Sequence, residues 1–290
     1  MLNIFLSLVI ICGIYTPSPS ALSSAEIQSP PEITLNYIEY NRGMSFPTTA
    51  QLGIQYPGHY DLTFHDVRMV ANSFYPDDFI IPNAFFWPLF EGRFGDVLGA
   101  FTEPYYGIRI YHFFKKRPNL GFGAEFIHLK VFIPDEGEEV HITGEDGTGL
   151  VDERKSTKEY ISSYNISHGV NHLSLSVVYR LMLLPSEKVP VGRIQPYASL
   201  SIGPCIPHPQ LRLEGDAGYK AFSYQPKFGN FGFGVNLGAR FQISGRFGFY
   251  MEYKFTRSFL NDMSFDNGEE GEFWTRFPSH HIAWGVSFIF

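Results

Sequence analysis

The chain has 290 residues, of which 17% are aromatic and 18% charged, and its formal net charge is -7. Charged residues are scarcer than the roughly 25% of an average soluble domain, and the acidic balance argues against a nucleic-acid footprint. No segment reaches the roughly 18 uninterrupted apolar residues of a membrane helix, so any membrane crossing falls to strands closed into a barrel, because lipid tolerates no open sheet edge.

Residues 1–25 read as an export signal. Ile4 to Ile14 is an apolar core, small residues follow through Ala21 and Ala25, and cleavage after either suits the pattern. The stretch before the core carries no Lys or Arg, and Ile11 is a poor residue before a lipid-attachment cysteine at Cys12. Loss of the signal leaves Cys205 alone, so no disulfide framework is expected. Residues 26–48 show no clear pattern and read as an N-terminal extension, with the barrel expected over 49–290. For the first strand Ala50 to Tyr56 is the leading candidate, and Tyr60 to Val70 the second.

Period-2 alternation then recurs along the chain. Tyr106, Ile108, Ile110 and Phe114 oppose Gly107, Arg109 and Tyr111. Over 120–133 the parity changes. Phe122 and Ala124 share one face, whereas Ile127, Leu129, Val131 and Ile133 share the other. A bulge near Glu125 would restore one apolar face and turn Glu125, His128 and Lys130 inward. Leu173, Leu175, Val177, Tyr179 and Leu181 form another apolar row, as do Pro196, Ala198, Leu200 and Ile202. Phe231 to Phe241 and Phe247 to Phe255 alternate strictly and join through Ser244-Gly245, a tight hairpin signal. Ile282, Trp284, Val286, Phe288 and Phe290 complete the series. The aromatic residue that ends this strand is similar to the C-terminal signature of bacterial outer-membrane barrels.

Connections are short at Lys115 to Asn119, Pro185 to Gly192 and Ser244-Gly245, and long over 57–103, 134–169, 204–229 and 258–279. Short periplasmic turns and long external loops are the outer-membrane arrangement, and an even strand count keeps both termini on the periplasmic side. The expectation is therefore all-β: an eight-stranded antiparallel transmembrane β-barrel. In a soluble eight-stranded barrel the polarity inverts, and the outward face would be rich in Lys, Glu and Thr. Here the less apolar face is Gly, Ser and Ala with a few charges.

The expected lumen set is Arg109, Glu125, His128, Lys130, His172, Arg180, Arg240, Glu252, Lys254 and His281. An eight-stranded barrel is only wide enough for side chains to fill, so these charges must pair with one another. Lys130, His208, Thr256, Arg257 and His281 are expected at the external rim, where histidines beside carboxylates suit acid–base chemistry or a divalent metal. No metal-ligand spacing lies within one strand, and the metal, like any cofactor, is left open. The loop from Pro134 to Glu159 is strongly acidic and reads as solvated and mobile, with cation-bridged contact to lipopolysaccharide phosphates as its functional alternative. No nucleophile elbow, phosphate loop, paired-cysteine zinc motif or dinucleotide fingerprint is present.

Several motifs, in order over about 50–290, carry a resemblance. They are Pro104-Tyr105-Tyr106-Gly107-Ile108-Arg109, Gly123 to Val131, Gln195-Pro196-Tyr197-Ala198, Ile206-Pro207-His208-Pro209, Glu252-Tyr253-Lys254-Phe255 and His280-His281. The chain resembles the lipid A oxidase-like outer-membrane barrels. That resemblance implies a Gram-negative outer-membrane location, lipid A and membrane lipid as partners, and oxygen-dependent oxidation of the proximal glucosamine of lipid A. Carried over residue by residue, its candidates are Glu125, His128, Lys130, His208, Glu252, Lys254 and His281. Glu125 or Glu252 would serve as base, and the histidines as ligands or acid–base groups. The chain departs from the pattern in its insertion at 65–100 and its acidic second loop. The alternative function is a non-catalytic structural or adhesive barrel whose loops bind external partners. A monomer is expected in either case.

Overall fold

The computed structural model describes residues 36–71, 105–134, 137–266 and 268–290. The export signal lies outside these residues, as does most of the insertion at 65–100. Eight strands form a closed ring: β1 (Asn36–Pro47), β5 (Tyr105–Phe114), β6 (Arg117–Leu129), β11 (His172–Arg180), β12 (Ile194–Pro204), β14 (Asn230–Gln242), β15 (Phe247–Ser264) and β16 (Glu272–Ile289). Each pairs antiparallel with the next, and β1 closes the ring by pairing with both β5 and β16. Among the described residues no helix is long and apolar enough to cross a membrane.

Alternation decides which way every side chain points. Leu175, Met251, Ile110 and Phe249 stand on the outer wall, with Leu175 71% exposed. The residues between them turn inward and are buried. A sheet closed on itself, apolar outside and polar inside, is the polarity of a transmembrane barrel and the reverse of a soluble one. The protein is an outer-membrane β-barrel. Two lumen glycines make room for rings: a Cβ at Gly238 would stand 2.6 Å from the Tyr197 hydroxyl, and one at Gly123 would stand 2.4 Å from the Tyr111 ring.

The closing strand is β1, upstream of both segments read as candidates, and it takes residues 36–47 out of the stretch read as an extension. Its pattern is masked because Tyr37 faces the lumen while Arg42 takes a position of outward parity. β2 (Ala50–Tyr56) continues β1 along the upper part of β16. The expected bulge near Glu125 is absent. β6 runs in unbroken register with β11 and, between Gly121 and Leu129, with β5, so parity is kept throughout. Ile127 and Leu129 therefore point inward, and His128 and Lys130 do not.

The apolar inward residues mark a second structure above the membrane. A transmembrane strand needs about 9–11 residues, whereas β15 and β16 have 18 each. Their upper halves, with β2, β3 (Tyr60–Val67), β8 (Glu139–Asp146) and β9 (Gly149–Ser156), form one sheet. A second sheet contains β13 (Gln210–Leu213), β10 (Ile161–Ile166), β7 (Val131–Phe132) and β4 (Val70–Ala71). Their inner faces share one apolar core that includes Ile54, Phe64, Ile142, Val131, Tyr164 and Leu211. Much of 134–169 and 258–279, expected as loop, is thus ordered strand. The acidic segment expected to be solvated and mobile is the β8–β9 hairpin, followed by one 3-10 turn at Thr157–Glu159.

Candidate functional site

The lumen is built in layers. Lowest is Arg180, which donates to the Tyr37 hydroxyl and to Gln195 Oε1 at 3.2 Å, with its guanidinium 3.6 Å from the centre of the Phe113 ring. Above it Glu39 accepts from Arg240 and, at 2.5 Å, from Arg109 Nε. Arg109 then donates through Nη1 to Glu252 Oε2 at 2.6 Å and through Nη2 to the Tyr197 hydroxyl at 2.8 Å. Tyr197 in turn donates to Glu252 at 2.8 Å. Lys254 donates to Glu125 and lies 3.4 Å from Glu252 Oε1. Every charge in this network is at most 3% exposed. Carboxylates this deep persist because each has a cationic partner; stripped of it, a buried ion is penalised by several kcal/mol.

The next layer holds His281. Its Nδ1 pairs with Ser45 Oγ at 2.8 Å, its Nε2 with Thr256 Oγ1 at 2.8 Å, and its ring stacks on Tyr105 at 4.7 Å. Both ring nitrogens are engaged, and the side chain is fully buried. His172 also turns inward, opposite Cys205. Over this layer sits the apolar core of the external sheets. Carboxylates and lysine are thus enclosed by the barrel wall at the sides, the Arg180 layer below and apolar side chains above.

Of the seven candidate residues, the structure brings four together in the lumen: Glu125, Glu252, Lys254 and, one layer up, His281. The other three are elsewhere. Strand parity puts His128 on the outer wall, where it stacks on Tyr106 at 5.0 Å and its Nδ1 meets Asn171 Oδ1 at 2.9 Å. Lys130 shares that face, two residues further up. His208 is buried, but outside the barrel interior. Its ring lies 4.4 Å from His168, 4.6 Å from Tyr224 and 5.3 Å from Phe222. Burial, and then the neighbouring His168, holds the His208 imidazole below its ordinary pKa. The rim grouping of Lys130, His208, Thr256, Arg257 and His281 therefore does not form: Thr256 and His281 are sealed inside, and Arg257 projects outward over Phe259.

Sequence reasoning passed over Glu39, which bridges two arginines at the centre of the network. Its signal was the alternation of Ile38 and Tyr40 about it, hidden in a stretch without flanking strand markers. Tyr197 fell on the correct face but carried no role there. Among the described residues no group of three or more His, Cys, Asp or Glu is arranged to hold a metal ion.

No protein-family profile matches the chain, and no curated protein does. Solved structures are similar in outline. The outer membrane protease OmpT of Escherichia coli matches with a TM-score of 0.41 and 10% identity, covering 93% of this chain and 99% of that one. The Neisserial surface protein A matches at 0.34 and 8%, covering 88% and 97%. The outer membrane protein OprG of Pseudomonas aeruginosa matches at 0.35 and 10%, covering 89% and 97%.

Proposed function

We propose that this protein is a non-catalytic outer-membrane barrel that presents a rigid, two-sheet external structure to partners outside the cell. The observation that carries this reading is the enclosure of Glu125, Glu252 and Lys254. A base or nucleophile must come within about 3 Å of the atom it attacks, and these groups face neither lipid nor the outside. They are paired with one another and with Arg109, and a second folded structure stands above the membrane. Lipid A mass spectrometry of cells with and without the gene, and with Glu252→Gln, tests it. An identical profile in all three is expected; an oxidised lipid A species that vanishes on deletion and returns only with the wild-type gene sinks the reading.

A second reading keeps an activity on lipid A but moves it to the outer wall. It is favoured by one specific observation, the gathering of Tyr106, His128, His168 and His208 outside the barrel. There His128, rather than the enclosed carboxylates, would meet the lipid, with His208 packed behind His168. His128→Ala, and not Glu252→Gln, would then alter the lipid A profile.

A further inference from the structure

Between β13 and β14 the chain returns toward the membrane down the outside of the barrel, and its rings face outward. Phe222 is 48% exposed, Tyr224 54%, and Phe228 wholly so. Such exposure in a loop would ordinarily accompany a slack backbone, because burying nothing gains nothing. The segment is tied on both sides of these rings. Ala221 bridges to Leu211, and Asp266 accepts from Phe222 N and, at 2.6 Å, from Ser223 Oγ. Gln225 N donates to Pro207 O at 2.9 Å, Lys227 Nζ to Ser264 Oγ at 3.1 Å, and Asn230 Nδ2 to both Gln225 O and Asp262 O at 3.0 Å. A conformation fixed by this many bonds, holding a phenyl ring fully away from the protein, implies a surface that receives the ring.

The height of Phe228 identifies that surface. Asn230 O accepts from Cys205 N at 2.9 Å, just beyond the end of β12, so Phe228 sits at the upper margin of the outward apolar rows. Immediately below, Phe231 stacks on Phe259 at 5.0 Å, and the row continues through Phe233 and Leu237 to Phe241. From Phe231 to Phe241 is ten residues. At about 3.3 Å per residue and a tilt of about 40° they rise roughly 25 Å, the height of the apolar band of such barrels. Phe228 therefore lies where hydrocarbon gives way to headgroups, and the half-exposed Phe222 and Tyr224, packed edge-on to His208, precede it on the same segment. Two cations stand at the same margin: Arg257 over Phe259, and Lys227, 3.1 Å from Asp262. Aromatic rings with flanking basic groups suit an interface of apolar chains and anionic headgroups.

We propose that the segment from Phe222 to Phe228 is a membrane-contacting ladder, with Phe228 inserted at the top of the acyl chains and Tyr224 and Phe222 against the headgroups of the outer leaflet. It takes a lipid surface as its partner, in continuity with the apolar wall below. The proposal depends on the barrel spanning a membrane and not on whether the protein is catalytic.

The test uses the full chain in vesicles of phosphatidylethanolamine and phosphatidylglycerol, with Phe228→Trp read as the difference from wild type. Leu150→Trp, on the external β9 strand and 86% exposed in the wild type, is the reference. Expected are a blue-shifted emission for Phe228→Trp, quenching by lipids brominated near the headgroup end of the acyl chains, and protection from acrylamide, with the opposite for Leu150→Trp. Equal acrylamide quenching of the two variants overturns the proposal. So does protection that disappears on dilution of protein into excess lipid, which would assign the ring to a second copy of the chain.

Discussion

Arg109 and Glu39 face each other across the β1–β5 seam as direct register partners, joined at 2.5 Å with neither side chain exposed. The bond lies at the seam where the chain's first barrel strand meets its neighbour. It couples ring closure to the ion network, since Arg109 also holds Glu252 on β15.

Removing Glu39 alone should therefore cost more than removing it together with Arg240, which it also holds. Glu39→Ala leaves the buried Arg240 without this carboxylate, whereas Arg109 keeps Glu252, and a destabilisation of about 3–5 kcal/mol is expected. A volume-matched double replacement, Glu39→Leu with Arg240→Leu, should recover part of that loss. Urea unfolding in detergent micelles, followed by heat-modifiable gel migration, measures both. A Glu39→Ala barrel as stable as wild type would show that the network contributes nothing.

The stacked Arg180, Glu39–Arg109–Glu252 and His281 layers fill the lumen from below upward, and apolar side chains close it above. The purified protein should give no stepwise ion conductance in planar lipid bilayers. Stable unitary steps that persist across preparations would contradict a filled interior.

The external sheets have their own apolar core, so they should loosen separately from the barrel. Phe64 is fully buried at its centre, and Phe64→Ala is expected to cost about 3–5 kcal/mol locally. Limited proteolysis should then cut within the β8–β9 hairpin while the barrel keeps its heat-modifiable migration. Loss of both together would mean that the two parts form one cooperative unit.

His208 supplies a pH dependence with a definite sign. Its folded-state pKa lies below its ordinary value because the ring is buried and neighbours His168. The unfolded chain then binds the proton more readily than the folded one. Its contribution is complete above about pH 6.5, the ordinary histidine value, and declines as the pH falls below that toward the lowered folded value. Protection factors for amide hydrogen exchange over 205–224, corrected for the intrinsic rate at each pH, should fall on acidification through this window. His208→Phe should flatten the dependence.

At the tip of β8–β9 a carboxylate gives a dependence of the same sign at lower pH. Asp146 accepts from the Thr148 hydroxyl at 2.6 Å and the Thr148 amide at 2.8 Å, and Tyr160 adds a third bond. These bonds hold its carboxyl down at about 2. The turn should stay capped as the pH falls past the ordinary carboxylate range and open only near that value. The Thr148 amide resonance followed from pH 6 to 2 reads this directly.

The sequence by itself determined the barrel. Period-2 alternation is a local property of a strand, and Phe247 to Phe255 or Leu173 to Tyr179 display it whatever they pair with. It also determined that Glu125, Glu252 and Lys254 share the inside, because parity alone settles the face. Tertiary structure decided the rest. The inward turn of Ile127 and Leu129 looked like an error of parity calling for a bulge, yet the strand runs straight. What changes at that height is the interior, which passes from ionic to apolar as the strands leave the membrane. No residue on β6 announces that change, because it is made by the faces of β2, β3, β8 and β10 folding over the same space. The separation of His128, Lys130 and His208 from the enclosed carboxylates follows from the same cause. Side chains from distant strands meet only where the ring closes and the sheets pack, and that geometry is set by the whole chain rather than by any one motif.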